Sequence, residues 1–395
     1  MQKHYKNFSQ IITLTNAHNK DGRNLAPEDL SIIENASIIF DDKEILWVGP
    51  SSNLPSEFSD LKPEDFTGKI LLPGIVDSHT HLVFAGDRSK EYAMRLNGAS
   101  YEEIAAAGGG ILNTVSATKD ASFDELYELG KKRIEKIHQH GVQTIEIKSG
   151  YGLTFESEEL ISRVIHKLKQ DFCGKVQIIN TFLAAHAIPV GDTSQNYIKN
   201  TCIPLMQKLA SESIIDFVDI FHEQNYFTEQ DTKSLFDAAQ ELKLKIKIHA
   251  DELNDNDGAS IAVDYSAFSA DHLLCISDKN IKKMANSNTV ASLLPGTALF
   301  LGKPLAPARK MLDAGCKVAI ASDYNPGSCH FDNLPLLTAI SSKLLNMNIA
   351  ELTAAITLNA AAALGLEKQG AIITGHRPIF TILDFNSIDQ FYYNW

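Results

Sequence analysis

From about residue 70 to about residue 365 the chain alternates short apolar runs with amphipathic segments. No other feature restricts its fold as much. The apolar runs are Ile70 to His81, broken by Pro73-Gly74, then Val142 to Lys148, Val176 to Phe182, Leu244 to His249, Val290 to Leu294 and Lys317 to Ser322. Each has the composition of a short strand. Helical segments lie between them. Ser122-Phe123-Asp124-Glu125 is a capping box, in which Ser and Glu satisfy each other's backbone donors. The helix it opens carries Leu126, Leu129, Ile134 and Ile137 on one face and stops at Gly141. Glu229 to Lys243 has the same periodicity. Strands separated by helices pair in parallel, and a series this long predicts an α/β fold, a (β/α)8 TIM-like barrel. An open doubly wound sheet is the competing fold, but the first strand is not followed by a GxGxxG turn.

The flanks are written differently. Residues 1–69 hold short apolar runs, Ile11 to Leu14, Ala36 to Phe40 and Glu44 to Gly49, separated by polar and Pro-containing stretches. Strand-like composition returns after Gly370, in Ala371-Ile372-Ile373 and Ile379 to Leu383. The expectation is a small composite β-sandwich domain from 1–69 and 366–395 beside a barrel of 70–365. A chain of 395 residues suits one large and one small domain.

The 49 acidic residues outnumber the 36 Lys and Arg, for a net charge of −13, which disfavours nucleic acid and anionic membranes as partners. No apolar run approaches the ~18 residues of a membrane helix. Met1 to Thr15 does not read as a signal peptide. The five cysteines are scattered without a CxxC pair, as expected of reduced thiols in a cytoplasmic protein.

The chemistry concentrates at strand ends. His79-Thr80-His81 closes the first apolar run. Side chains alternate along a strand, so both imidazoles face one spot at the mouth of a barrel, where barrel active sites lie. His138-Gln139-His140 has the same spacing at the end of a helix, where i and i+2 diverge by about 200°, and is expected to bind no metal. His249 closes a middle strand and Asp323 the last, while His272 follows Phe268 to Asp271. His79, His81, His249 and Asp323 form a plausible ligand set for one Zn or Fe ion with a position open for water, whose pKa the metal would lower. Glu252, just beyond His249, supplies an acid able to move a proton from water to a leaving nitrogen.

This pattern resembles the amidohydrolase superfamily. The longer strings narrow the resemblance to its imidazolonepropionase family: Pro73 to Phe84 running into Ala85-Gly86-Asp87-Arg88, then Ala107 to Ile111, Lys148 to Leu153, His249 to Glu252, Ser269 to Leu273, Leu294 to Thr297 and Asp323 to Ser328. The resemblance implies ring-opening hydrolysis of 4-imidazolone-5-propanoate to N-formimidoyl-L-glutamate. It implies His79, His81, His249 and Asp323 as ligands of one Zn or Fe ion per subunit. Glu252, His272 and Asp323 would be catalytic. Arg88, Tyr151, His186, Glu252, Asn325, Gly327 and Ser328 would bind the small-molecule substrate, in a homodimer. Another deaminase or cyclic amidase of the superfamily is the alternative. A scaffold without catalysis is disfavoured because the whole ligand set is present.

Other residues carry lesser expectations. Arg88 offers a planar fork for the propanoate. Gly108-Gly109-Gly110 admits either close backbone approach or a flexible loop. His222-Glu223 reads as structural, Cys329 as an unactivated thiol, and Lys148 as a hydrogen-bonding residue rather than a carboxylated bridge. If His249 points into the barrel, so do Lys247 and Lys245, and Glu146 accompanies Lys148. Unpaired buried charge is costly, so Lys247 and Glu146 are expected in a paired polar layer below the metal, unless the deeper lysine is solvated at the floor. Gly375 to Phe380 and Phe391 to Trp395 depart from the family pattern.

Overall fold

The computed structural model describes residues 1–99, 103 and 109–394. Ala107 and Gly108 of the Gly-rich run, and Trp395, lie outside the described residues. Two sheets organise the molecule. The small one contains β1 (Lys3–Ile12), β2 (Ile32–Phe40), β3 (Ile45–Pro50), β4 (Pro63–Asp65) and β5 (Ile70–Pro73), joined from the other end of the chain by β15 (Phe380–Leu383). Its order is β15-β5-β1-β2-β3, with β4 on β1. The pairing is mixed: β1 runs antiparallel to β2 and parallel to β5, while β15 runs antiparallel to β5. The two flanking segments thus share one sheet, whose apolar face packs Phe8, Ile38, Phe40 and Leu71.

The second sheet is the barrel. Its strands are β6 (Ile75–Asp77), β7 (Val142–Lys148), β8 (Gln177–Phe182), β9 (Phe217–Val218) with its continuation β10 (Phe221–His222), β11 (Lys245–Ala250), β12 (Ser269–His272), β13 (Val290–Leu293) and β14 (Val318–Ile320). Neighbours follow chain order, all in parallel. A parallel bridge between Thr80 and Tyr324 joins the first strand's end to the last. The predicted helices form where their caps place them. Phe123–Gln139 starts at Ser122, whose Oγ accepts from Glu125 N (3.2 Å) while Glu125 Oε2 accepts from Ser122 N (2.8 Å). No described helix is long and apolar enough to cross a membrane.

The C-terminal stretch corrects one expectation. Ala371-Ile372-Ile373 is not a strand, because the chain turns in the left-handed region at Gly370 and Gly375 on either side. The segment docks by Ile372 N donating to Thr13 O (2.9 Å), and the turn after it by Gly375 N donating to Ile45 O (2.8 Å) and Ile45 N to His376 O (2.8 Å). Beyond β15, Ile388–Tyr393 is a helix capped by Ser387.

Thr381 of β15 clasps the two sheets together. Its hydroxyl donates to Gly141 O (2.7 Å) and accepts from Ile75 N (3.0 Å), a buried donor. Thr381→Val keeps the shape but orphans that donor. It is expected to cost about 1–3 kcal/mol in denaturant unfolding with turnover unchanged.

Candidate active site

Closure of the barrel assembles the site. Asp323 N donates to His79 O (3.0 Å) and His81 N to Tyr324 O (2.9 Å), so the His-Thr-His segment and the end of the last strand lie side by side. Below this contact the buried Asp77 carboxylate accepts from Ser322 N (3.0 Å) and Ser322 Oγ (2.6 Å). The Nε2 atoms of His79 and His81 stand 3.2 Å apart, and those of His81 and His249 3.4 Å apart. Asp323 Oδ1 lies 3.5 Å from both His79 Nε2 and His81 Nε2. Asp323 (φ 51°) and His272 (φ 77°) leave their strands in the left-handed region, which side chains other than Gly rarely adopt. Such strain gathers where a site over-determines it.

The far side of two of the rings is fixed. His79 Nδ1 donates to Asp271 Oδ2 (2.6 Å) and His249 Nδ1 to Asp219 Oδ1 (3.1 Å), so their lone pairs lie on Nε2. Thr297 Oγ1 donates to Asp323 Oδ2. Burial first, then the charge of Lys148, holds His79 well below its ordinary pKa. Burial and His186 do the same to His81. The Asp219 carboxylate, working against burial, raises the pKa of His249 instead. Three ring nitrogens crowded with a carboxylate oxygen form a donor set that fits a cation.

A polar layer lies beneath. Lys148 Nζ donates to Glu146 Oε1 (2.6 Å) and Asp219 Oδ2 (2.7 Å). Lys247 Nζ donates to Ser78 O (2.5 Å) and stands 3.3 Å from Asp271 and 3.7 Å from Glu146. All five charged side chains are fully buried. The pleat therefore carries Lys247 and Glu146 inward together. Lys245, deeper by one repeat, lies at the barrel floor against Phe217 and Phe268.

Above the imidazoles opens a cavity of about 960 Å³ lined by Arg88, Tyr151, His186, Glu252, His272, Asn325, Gly327 and Ser328 among others, so every expected substrate residue borders one space. His186 stacks on His81 (4.9 Å, 17°) and meets the edge of Tyr151 (5.4 Å). Glu252 Oε1 lies 3.6 Å from His272 Nδ1. Burial, then the nearby Asp323, pushes the Glu252 carboxyl up to about 8. Asn325 spends its amide within its own loop: Oδ1 accepts from Gly327 N (2.8 Å) and Ser328 N (2.7 Å), and Nδ2 donates to Asp323 O (2.7 Å).

Buried carboxylates hold the loops that carry these groups. Glu158 accepts from Gly150 N (3.0 Å), Gly152 N (2.6 Å) and Leu153 N (3.0 Å), on both sides of Tyr151. Glu223 accepts from Leu253 N (2.8 Å) and from the side chains of Asn254 and Asn256, beside Glu252. His222 bonds Thr232 and Asn256 O, away from the imidazole cluster. Cys329 is buried against Ser322 O, and burial pushes its thiol up. The second His-x-His pair diverges: His138 binds Val142 O, and His140 faces Asp332.

The Amidohydrolase family model matches residues 70–395. The imidazolonepropionase of Clostridium tetani is 40% identical over 394 residues, covering 98% of this chain and 93% of that one. The chain belongs to the imidazolonepropionase family of amidohydrolases. The imidazolonepropionase of Bdellovibrio bacteriovorus is 39% identical, covering 98% of this chain and 90% of its own. In fold the chain is similar to the atrazine chlorohydrolase of Arthrobacter aurescens, solved with zinc (TM-score 0.66, 14% identity, 96% and 87% coverage). Membership agrees with the chemistry of the donor set, which is that of a metal-dependent hydrolase.

Asp271, at the end of a strand, and Asp219, just past β9, orient two of the imidazoles but carried no signal in the spacing beyond being buried acids near strand ends. Glu223 was read with His222 as structural, which its loop bonds bear out, whereas Glu158 sits in ordinary helical context and was not legible. The layer makes a distinction testable by unfolding and metal analysis. Lys148→Met leaves Glu146 and Asp219 without their cation and is expected to cost about 3–5 kcal/mol and to reduce retained metal. Lys245→Met at the floor is expected to cost about 1 kcal/mol or less.

Proposed function

We infer that the protein hydrolyses 4-imidazolone-5-propanoate to N-formimidoyl-L-glutamate. Water adds to the ring carbonyl carbon, the bond from that carbon to the ring nitrogen breaks, and a proton reaches the leaving nitrogen. The observation that carries the reading is about 40% identity with imidazolonepropionases over nearly the whole chain, together with a cavity that unites His81, His249, Glu252, His272 and Arg88. His79, His81, His249 and Asp323 would hold one Zn or Fe ion per subunit. The ion, when bound, supplies a Lewis acid and an acidified water. Zinc in the atrazine chlorohydrolase supports that assignment, and the ligand set suits iron as well.

In this reading Glu252 accepts the proton of the attacking water and delivers it to the leaving nitrogen. His272, 3.6 Å from it, orients the carboxyl and donates to the carbonyl oxygen as charge develops there. Arg88 takes the propanoate. Tyr151 and His186 flank the ring, and the loop of Asn325, Gly327 and Ser328 closes the side where the product's glutamate portion forms. The same proposal includes the division into a composite β unit (1–69 and 366–395) and a barrel (70–365), a homodimer, and a cytoplasmic setting. The five cysteines, all unpaired, are consistent with the last.

The test is anaerobic loss of substrate absorbance with formimidoyl-glutamate as product. Activity is expected to disappear with a chelator and return with Zn or Fe. Loss of ammonia from another cyclic substrate in place of this reaction would assign a deaminase instead. Glu252→Gln is expected to keep stoichiometric metal while losing about 10²–10⁴-fold in kcat. A near-normal rate would remove Glu252 from proton transfer.

A further inference from the structure

The Arg88 guanidinium is held by a partner that the sequence did not single out. Glu91, on the first turn of the helix Ser89–Leu96, is buried, and one carboxylate oxygen, Oε2, accepts from both Arg88 Nε (2.9 Å) and Nη2 (2.8 Å). The same oxygen accepts from Gly110 N (3.1 Å), and Oε1 accepts from Asn113 Nδ2 (3.2 Å). Glu91 is therefore anchored from the far side by the segment after the Gly-rich run, and cannot swing with the arginine.

A guanidinium offers two forks for a carboxylate: the side edge, Nε with Nη2, and the end edge, Nη1 with Nη2. Glu91 occupies the side edge. Gly327 sets the position of the end edge, since a Cβ there would lie 1.9 Å from Arg88 Nη1 and 2.8 Å from Cζ. The guanidinium thus lies against bare backbone that belongs to the loop bordering the cavity.

We propose that Glu91 is a positioning residue that takes the side edge of Arg88, so that only the end edge meets the substrate's propanoate, with Gly327 leaving the space for it. This rests on the reading of Arg88 as the carboxylate anchor. It also assigns Gly327 a steric role beneath the guanidinium. An arginine freed from Glu91 would sample both forks and several rotamers, and the bound carboxylate would have to order it. That loss falls on substrate binding, raising KM with little change in kcat.

The experiment is a double-mutant cycle on the metal-loaded enzyme, reading KM and kcat for Arg88→Ala, Glu91→Ala and the pair, with Glu91→Gln and Gly327→Ala as independent variants. Expected is a rise in KM of about tenfold for Glu91→Ala with kcat within about twofold, and partial recovery in Glu91→Gln, which keeps an acceptor oxygen. In the Arg88→Ala background, adding Glu91→Ala is expected to change KM no further, since it acts through the missing guanidinium. An unchanged KM in Glu91→Ala, or an undiminished effect of Glu91→Ala without Arg88, overturns the proposal. If Arg88→Ala itself leaves KM unchanged, the carboxylate-anchor reading fails, a result distinct from a failure of Glu91. Should Glu91→Ala not fold, Glu91→Gln and Gly327→Ala each still give a cycle with Arg88→Ala.

Discussion

The contact between the first and last barrel strands is the constraint on which the site depends. Asp77 and Ser322 lock the two strands below, the Thr80–Tyr324 bridge joins them above, and between these levels His79, His81 and Asp323 are brought within 3.5 Å. Asp323 could not reach the two histidines if the sheet were open. Closure is a long-range event in sequence, so the site exists only once the barrel is complete. The strained backbone at Asp323 fits this: its left-handed turn aims the carboxylate back over the strand end, a geometry that two strands of bonding must maintain.

A second rule recurs around the mouth. Loops at a barrel's C-terminal end carry the functional side chains but have few partners for their own backbone N–H groups. Here acids inside the rim supply the acceptors: Glu158 for the Tyr151 loop, Glu223 for the Glu252 loop, and Asp251 for Asn256, Gly258 and Ala259. Each carboxylate replaces several waters at once, and its charge strengthens every bond it accepts. Rigid loops then need little further ordering when substrate binds.

Much of this was legible in the sequence, for a physical reason. Strand alternation is a strict period of two, so His79 with His81, Lys247 with His249 and Glu146 with Lys148 could be assigned to one face before any fold was known. The same rule separated His79-Thr80-His81 from His138-Gln139-His140, because the latter follows a capped helix. What was not legible depends on register between distant strands or on loop shape. That Lys148 reaches Asp219 is set by the parallel pairing of β7 through β8 to β9, and no local pattern encodes it. The end of the chain misled because Ala371-Ile372-Ile373 has strand composition but lies between two left-handed glycines, and the glycines prevail.

The polar layer explains why such an expensive arrangement is kept. Two lysines face Glu146, Asp219 and Asp271, and Asp323 adds a fourth carboxylate just above. With every acid ionised the group carries two negative charges in excess, away from water. An apolar core of the same volume would be no less stable, so the layer is not there to hold the barrel together. Its negative excess favours a cation among the imidazoles, and its hydrogen bonds turn Nε2 of His79 and of His249 toward that place. Lys148 and Lys247 keep the deficit at two rather than four. Without them the acids would protonate and release the rings, and with more lysines the cluster would repel a cation. The two lysines thus reduce the negative excess of the acids without cancelling it, directly beneath the imidazoles.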